Sequence, residues 1–400
     1  MQTIFANEFS DSAKIRVGVA GEYGLNSNAL TNEFTSKFYT GGYINNDLKD
    51  EVLNRVRNTN RVGADVNYGI YVAFMPDSLF HKKNISVFFS VRDREHFDAR
   101  FSKDFYSVGF YGNAQYAGKT ANLSDFNLNL LHYQQIQIGL FSSKIDNGGR
   151  VGIAASFLKG QQYTSILAKK AELFTSEDGQ YIDFNTSLQV AQSDTSHKGM
   201  GAFNGYGGSF DVYLEAPVKN RFWNSTIRVS VSDIGTMHFN KQSMYLSQDS
   251  LFHYQGFTVK SIYDLQSSTF AKTSQDSITK TIAPFKKQSF SVTLPATLNL
   301  NFETEFSKHF HLTEGIRYVF NANYKLLSYV KGNFYINKKV MLSATVGYGG
   351  YGNFNYGLSV FAKLGKGFMI YAGSNNIEGF ILPKKTTGQG AYISLAKNFK

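Results

Sequence analysis

Apolar and polar residues alternate along most of the chain with the two-residue period of an extended strand. In the C-terminal stretch QGAYISLAKNFK, Ile393, Leu395 and Phe399 share one face, whereas Tyr392 and Ser394 lie on the other. A soluble sandwich would turn the apolar face towards a second sheet, and a membrane barrel would turn it outwards into lipid. The length of the alternating runs favours the barrel.

The clearest run is SVTLPATLNLNFETEF, which has one apolar and one polar face. Runs of this kind exceed the ~5–6 residues of an average soluble strand and match the ~9–11 that cross a bilayer at a tilt. We therefore predict an all-β fold, a transmembrane antiparallel β-barrel of about fourteen strands, formed by residues 1–400 as a single domain. In this run the predicted lipid-facing residues are Leu294, Leu298, Leu300 and Phe302, and the predicted lumen-facing residues are Asn299, Asn301 and Glu303.

The first and last strands are expected to pair, because a barrel in lipid can leave no open strand edge. Pro295 lacks a backbone donor, so it predicts a bulge or a local gap in strand pairing. The residues expected at the closure are Ile15, Val17 and Val19 in the first strand and Ile393, Leu395 and Phe399 in the last.

The segment NNDLKDEVLNRVRNTN departs from the strand pattern. Leu48, Val52 and Val56 recur every four residues, which predicts a short amphipathic helix near residues 46–58, with Asn46 or Asp47 as its cap. Its apolar stripe is narrow, and the remaining surface is charged. We expect a plug inside the barrel or across its mouth, formed by Leu48, Val52, Val56, Arg55 and Arg57; a solvent-exposed helix in a loop is the alternative.

Residues 261–287 are rich in Ser, Thr and Lys and show no regular period, which indicates a long irregular loop. Short clusters of Gly, Asn and Asp elsewhere, such as SEDGQ and GGYGN, predict hairpin turns between the strands.

Composition agrees with a barrel. The chain has 36 Gly, 36 Phe and 25 Tyr but only 5 Pro. Its mean hydropathy of -0.26 is too polar for a bundle of membrane helices, and we find no run of eighteen apolar residues. Cysteine is absent, which excludes disulfides, thiol nucleophiles and cysteine metal sites.

The formal net charge of +11 raises the question of nucleic acid as a partner. The Lys and Arg residues are scattered, however, and no basic helix or aromatic RNA-binding signature is present, so nucleic acid is not expected. Anionic headgroups explain the charge equally well. The expected partners are outer-membrane lipid and lipopolysaccharide, with other outer-membrane or periplasmic proteins as further candidates.

The expected location is the outer membrane of a Gram-negative bacterium. The opening MQTIFANEFSDSAKIR has no basic region followed by an apolar one, as a signal peptide would. An envelope location therefore requires that the numbering begin near the mature start or on a Met added for expression.

Five stretches spread along the chain are GNAQYAGKTANL (112–123), GRVGIAASFLKG (149–160), SVSDIGTMHF (230–239), FSVTLPATLNLNFETEF (290–306) and YAGSNNIEGFILP (371–383). Together they resemble a family of outer-membrane barrels from Bacteroidota that has no assigned function. That family is similar in general architecture to the long-chain fatty-acid transporter and to barrels associated with type IX secretion. The resemblance implies a barrel of about fourteen strands in the outer membrane, and it implies no substrate.

Motifs for catalysis or cofactor binding lack their required context. GYGGYG (347–352) matches a phosphate-binding pattern, but the residues after it alternate as a strand, so a hairpin turn is expected. His309 and His311 could share one strand face, yet no third metal ligand is nearby. No Ser and His pair stands out for hydrolysis. We expect no enzyme, no cofactor and no metal site.

Two classes of function remain open. The first is passive transport of a small or hydrophobic compound through the lumen. The second is a non-enzymatic accessory subunit of a larger outer-membrane secretion or assembly complex, for which the loop 261–287 would be a suitable contact surface. The sequence does not separate them.

Overall fold

A computed structural model describes residues 14–76, 78–79, 84–142, 148–219, 224–255 and 285–399. Within these ranges, nineteen strands lie in one antiparallel sheet. They are β1 (Ile15–Ser27), β2 (Asn60–Phe74), β3 (Ile85–Phe101), β4 (Lys119–Asn122), β5 (Phe126–Ser142), β6 (Arg150–Thr175), β7 (Ile182–Gln192), β8 (Gly205–Lys219), β9 (Asn224–Phe239), β10 (Met244–Tyr254), β11 (Lys286–Lys287), β12 (Phe290–Thr293), β13 (Thr297–Ser307), β14 (Phe310–Val319), β15 (Lys325–Tyr335), β16 (Val340–Gly350), β17 (Phe354–Lys363), β18 (Phe368–Asn376) and β19 (Gly388–Phe399).

Fourteen of these strands close into a barrel, as the sequence predicted. Around the ring they follow the order β1, β2, β3, β5, β6, β8, β9, β13, β14, β15, β16, β17, β18 and β19. The ring closes where β19 pairs with β1. Ile15 lies opposite Phe399 and Val19 opposite Leu395, while Ile393 faces Gly21 and Val17 faces Lys397. Closure leaves no strand edge of the ring open to lipid.

The wall has an apolar outer face. On β2, Val66, Ile70 and Phe74 point outwards, and Ile70 is 56% exposed. On β5, Ile138 is 58% exposed and pairs with the outward Phe89 of β3. Equivalent residues recur round the ring, among them Ile153, Leu214, Phe302, Val346, Leu358 and Leu395. This band is what a bilayer would cover.

The two ends of the barrel differ. Connections next to the chain termini are short, such as residues 308–309 between β13 and β14 and residues 336–339 between β15 and β16. At the opposite end the connections carry helices and further strands. Long loops at one end and short turns at the other are the usual asymmetry of outer-membrane barrels. We call these the loop end and the turn end.

The wall continues beyond the apolar band at the loop end. β6 has 26 residues, more than twice the ~9–11 that cross a bilayer. Its last part pairs with β7, and β7 pairs with β10 along its whole length. β7 and β10 therefore form an annex outside the closed ring, although their sequences alternate as barrel strands do.

Among the described residues, four α-helices lie at the loop end: α1 (Asn32–Thr40), α2 (Asn46–Arg55), α3 (Lys103–Tyr111) and α4 (Glu378–Ile381). The first three begin at side-chain caps, Thr31, Asn45 and Ser102. The helix predicted near 46–58 is therefore present, but its cap is Asn45 and not Asn46 or Asp47. In the described residues no helix is long and apolar enough to span a membrane.

Most of the predicted loop 261–287 lies outside the described residues. Of this segment, Lys286 and Lys287 pair with Tyr245 and Met244 of β10. The predicted hairpin at GYGGYG is confirmed, because β16 ends at Gly350 and β17 begins at Phe354. The gap predicted at Pro295 is also confirmed, since it separates β12 from β13.

Candidate functional site: the lumen and its loop-end vestibule

Helix α2 lies on the outer side of the wall, so its assignment as a lumen plug is wrong. Leu48, Val52 and Val56 form one buried cluster with Val62 and Ala99. Val62 has the same parity on β2 as the outward Val66 and Ile70, and it pairs with Ala99 of β3. The stripe therefore packs on the outward face of the wall, above the band that lipid would cover.

Helices α1 and α3 pack beside α2, and we call these three helices the outer brace. Phe34 of α1 contacts Tyr106 and Phe110 of α3, at 5.8 and 5.1 Å between ring centroids. The hydroxyl of Tyr106 donates to the carbonyl of Lys49 in α2 at 3.0 Å. Arg55 pairs with Glu51 within α2 at 3.0 Å, and Arg57 follows the helix as an exposed residue. None of these contacts reaches the lumen.

Polar side chains fill the inner face of the wall, in three networks. The middle network joins β3, β5, β8 and β9. Arg94 donates to Asp233 at 2.6 Å, and Gln137 donates to Asp211 at 2.8 Å. Asp233 sits at a register shift of β9 with a φ of 62°, a conformation that Asp tolerates better than most residues, and its backbone N–H donates to Asp211 at 2.8 Å.

A second network lies nearer the turn end. Arg228 of β9 bridges Glu215 of β8, at 2.9 Å, and Glu303 of β13. His311 of β14 contacts the same Glu303 at 2.9 Å. The predicted lumen-facing positions Asn299, Asn301 and Glu303 all lie on this inner face, with Asn301 accepting from the hydroxyl of Tyr329.

The third network lies at the loop end. His96 contacts Asp65 of β2 at 2.7 Å and Asp98 of its own strand at 3.1 Å. Asp98 in turn accepts from the backbone N–H of Asn323 at 3.0 Å. Asn323 belongs to the connection between β14 and β15, so this bond joins two distant parts of the ring.

An apolar cluster lies on the inner face beside the middle network, where the guanidinium of Arg94 stands 5.5 Å from the ring centre of Tyr133. It contains Leu131, Tyr133, Leu158, Met237, Phe239 and Leu294. Leu294 is 0% exposed, so the prediction that it faces lipid is wrong. The break at Pro295 interrupts the alternation, and Leu294 points inwards while Leu298, Leu300 and Phe302 point outwards.

A vestibule of about 520 Å³ opens beside this cluster. Its wall is mainly polar, and Tyr163 and Val292 connect it to the apolar cluster. Four of the ten lining residues are Asn, and one is Arg. The lining residues include Arg100, Asn127, Asn129, Tyr163, Asn321 and Asn323.

The sequence pointed to few of these residues. Its alternation placed Asn299, Asn301 and Glu303 on the polar face, but it did not predict the polar lumen residues of β3. β3 continues to Phe101 and supplies Arg92, Arg94, His96 and Asp98 to the lumen. The signal that could have found them is the dense run RDREHFDAR (92–100), in which every even-numbered residue is polar.

His309 and His311, which could share one strand face by sequence, make different contacts in the structure. His309 is in the turn before β14 and contacts the carbonyl of Tyr335 at 3.0 Å, whereas His311 belongs to the network of Glu303. Within the ranges that the structure describes, no group of three or more His, Asp or Glu is arranged to hold a metal ion.

Comparison with solved structures gives low similarity throughout. A mutant of the monoaromatic hydrocarbon channel TodX is 8% identical over 97% of this chain and 91% of that chain, with a TM-score of 0.48. The Ralstonia pickettii toluene transporter TbuX is 10% identical over 97% and 90%, with a TM-score of 0.42. The translocator domain of the autotransporter NalP from Neisseria meningitidis is 7% identical over 100% and 93%, with a TM-score of 0.40.

No curated protein matches the sequence significantly. The profile of one protein family does match, over residues 9–375, which extends from before β1 into β18. The match thus covers most of the 400 residues. The chain therefore belongs to this family, the family of unknown function DUF5723.

Proposed function

We propose that the protein is a barrel of a Gram-negative outer membrane through which a small polar solute passes passively. One observation carries the proposal: the closed wall has an exposed apolar band on its outside and hydrogen-bonded polar side chains on its inside. The outer face suits lipid, and the inner face suits water and polar solutes. The looser resemblance to Bacteroidota barrels supports the same location.

The inner face narrows the range of solutes. The polar groups on the inner face are amides, hydroxyls and paired charges, and amides and hydroxyls also line the vestibule. Such a surface replaces hydrogen bonds to water for a polar solute, whereas it offers a hydrophobic compound little apolar contact. Outer-membrane lipid and lipopolysaccharide are the proposed surroundings of the barrel.

A liposome swelling assay tests this function. Full-length protein is reconstituted, and its folding is checked by the heat-dependent shift of the folded band on a gel. We expect swelling with small uncharged polyols that falls off as solute size rises. Correctly folded protein that gives neither swelling nor conductance steps in planar bilayers would contradict passive transport.

A second function, as an accessory subunit of an outer-membrane complex, is supported by the annex. β10 is paired with β7 on one side, and among the described residues its other side is paired only at Met244 and Tyr245. A sheet edge can accept a strand from a partner. Purification in mild detergent distinguishes the two functions, because a stable stoichiometric partner supports the accessory role.

A further inference from the structure

Segments from distant parts of the ring meet over the loop end of the lumen. One is β3, which carries His96 and Asp98. Another is the connection of residues 320–324 between β14 and β15. Five strands lie between β3 and β14 on one side of the ring and seven on the other, so the two are on nearly opposite walls. Contacts between them therefore cross the lumen.

Asp98 is the centre of the crossing contacts. It is 0% exposed and accepts the backbone N–H of Asn323 at 3.0 Å and the side-chain amide of the same residue. Asn129 of β5 donates to it at 3.4 Å, and His96 contacts it at 3.1 Å. A buried carboxylate is costly unless it is hydrogen-bonded, so Asp98 holds Asn323 in place.

An aromatic pair extends the crossing. Tyr324 meets Tyr351 of the turn 351–353 edge to face, with 4.9 Å between ring centroids. The ring of Tyr351 lies directly on the backbone of β2, where a Cβ on Gly63 would come within 2.2 Å of it. Its hydroxyl is 3.4 Å from His96. Burial, with a smaller effect from the negative charges of Asp98 and Asp65, raises the pKa of Tyr351 well above its ordinary value, so the hydroxyl keeps its proton.

We propose that the connection 320–324, together with the turn 351–353, is a gate that closes the loop end of the lumen, and that Asp98 is the residue that holds it closed. The gate also forms part of the vestibule, through Asn321 and Asn323. A solute in the vestibule therefore touches the gate directly. This inference rests on the proposed passive transport.

A reversible cross-link tests the gate. The chain has no cysteine, so Asp98→Cys with Asn323→Cys introduces one defined pair. The Asp98 carboxylate lies 3.0 Å from the backbone nitrogen of Asn323, so the two substituted positions are neighbours across the lumen. In planar bilayers we expect no conductance through the oxidised protein and conductance after reduction. Mass spectrometry confirms the disulfide before each recording.

Single variants test the contact between Asp98 and Asn323, which we call the latch, without a cross-link. Asn323→Ala removes the side-chain amide bond to Asp98 and should raise the ratio of open to closed dwell time roughly tenfold, as expected for the loss of one charge-assisted hydrogen bond. Asn67→Ala is the matched control, because this lumen amide donates to Glu22 of the adjacent strand at 2.9 Å, a bond that does not cross the lumen. The control should gate like the unaltered protein.

The outcomes separate the gate from the transport function. Conduction that is equal in the oxidised and reduced double variant would overturn the gate while leaving passive transport intact. An Asn323→Ala variant that gates like Asn67→Ala would also count against the latch. Absence of conductance in every variant, including the reduced and unaltered proteins, would overturn both proposals together.

Discussion

At the scale of single residues, neighbouring positions on a barrel strand face different solvents. Leu300 lies on the outward face of β13, and Asn299 beside it lies on the lumen face near Ser230. An arginine on the lipid face costs ~2–4 kcal/mol near the midplane of a bilayer, because the charge has no water there. We therefore expect Leu300→Arg to destabilise the barrel, lowering its free energy of unfolding in liposomes by about this amount.

Asn299→Arg is the matched control for this prediction. It adds the same side chain one position away, where polar groups and water are available, and its cost should be much smaller. Urea titration of the two variants in liposomes measures the difference. Equal losses in both variants would mean that the two faces of β13 do not see different environments.

The direction of most wall residues could be predicted because one alternation runs through a whole strand. The prediction for Leu294 failed for a local reason. Pro295 interrupts the ladder between β12 and β13, and counting positions through that break assigns Leu294 to the face of Leu298. A break of this kind changes side-chain direction by an amount that alternation alone does not contain.

At the scale of elements, the helix near residues 46–58 could be predicted but its packing partner could not. Its stripe needs an apolar surface, and Val62, Ala99 and Phe101 provide one on the outside of the wall. In the sequence these residues alternate like the lipid-facing ones. The pattern therefore does not show whether a bilayer or a helix covers them. Helices α1 and α3 were missed because they are nine residues long and rich in aromatic residues, which favour strands.

The brace predicts a specific effect of a charge in α2. Val52 is 0% exposed, so Val52→Asp buries a carboxylate without a partner and should release the helix from the wall. Asn54→Asp adds the same charge at an exposed position of the same helix and is the control. Limited proteolysis should cut between residues 28 and 59 faster in the first variant only. Equal cleavage in both would contradict the packing of α2 on the wall.

At the scale of the whole molecule, the number of barrel strands could be predicted from the sequence. Which strands belong to the closed ring could not. β7 and β10 alternate like the others, yet they pair with each other and with the end of β6, outside the ring. The distinction depends on how far β6 extends past the bilayer, which is a three-dimensional property. The cross-lumen bond between Asp98 and Asn323 escaped prediction for the same reason, because the residues are 225 positions apart.

The asymmetry of the two ends predicts the orientation of the barrel in the membrane. Short turns face the periplasm and long loops face the outside in outer-membrane barrels. Gln180 is exposed in the turn between β6 and β7, at the far loop end, and Lys338 is exposed in the short turn between β15 and β16. Because the chain has no cysteine, Gln180→Cys and Lys338→Cys each create a single labelling site.

Intact cells treated with a membrane-impermeant thiol reagent should therefore label Gln180→Cys but not Lys338→Cys. Lys338→Cys should become labelled once the outer membrane is permeabilised, which shows that its thiol is reactive. The unaltered protein reports background labelling. The reverse pattern would invert the barrel and place the gate of residues 320–324 on the periplasmic side, and labelling of both sites in intact cells would mean that the chain does not span the outer membrane.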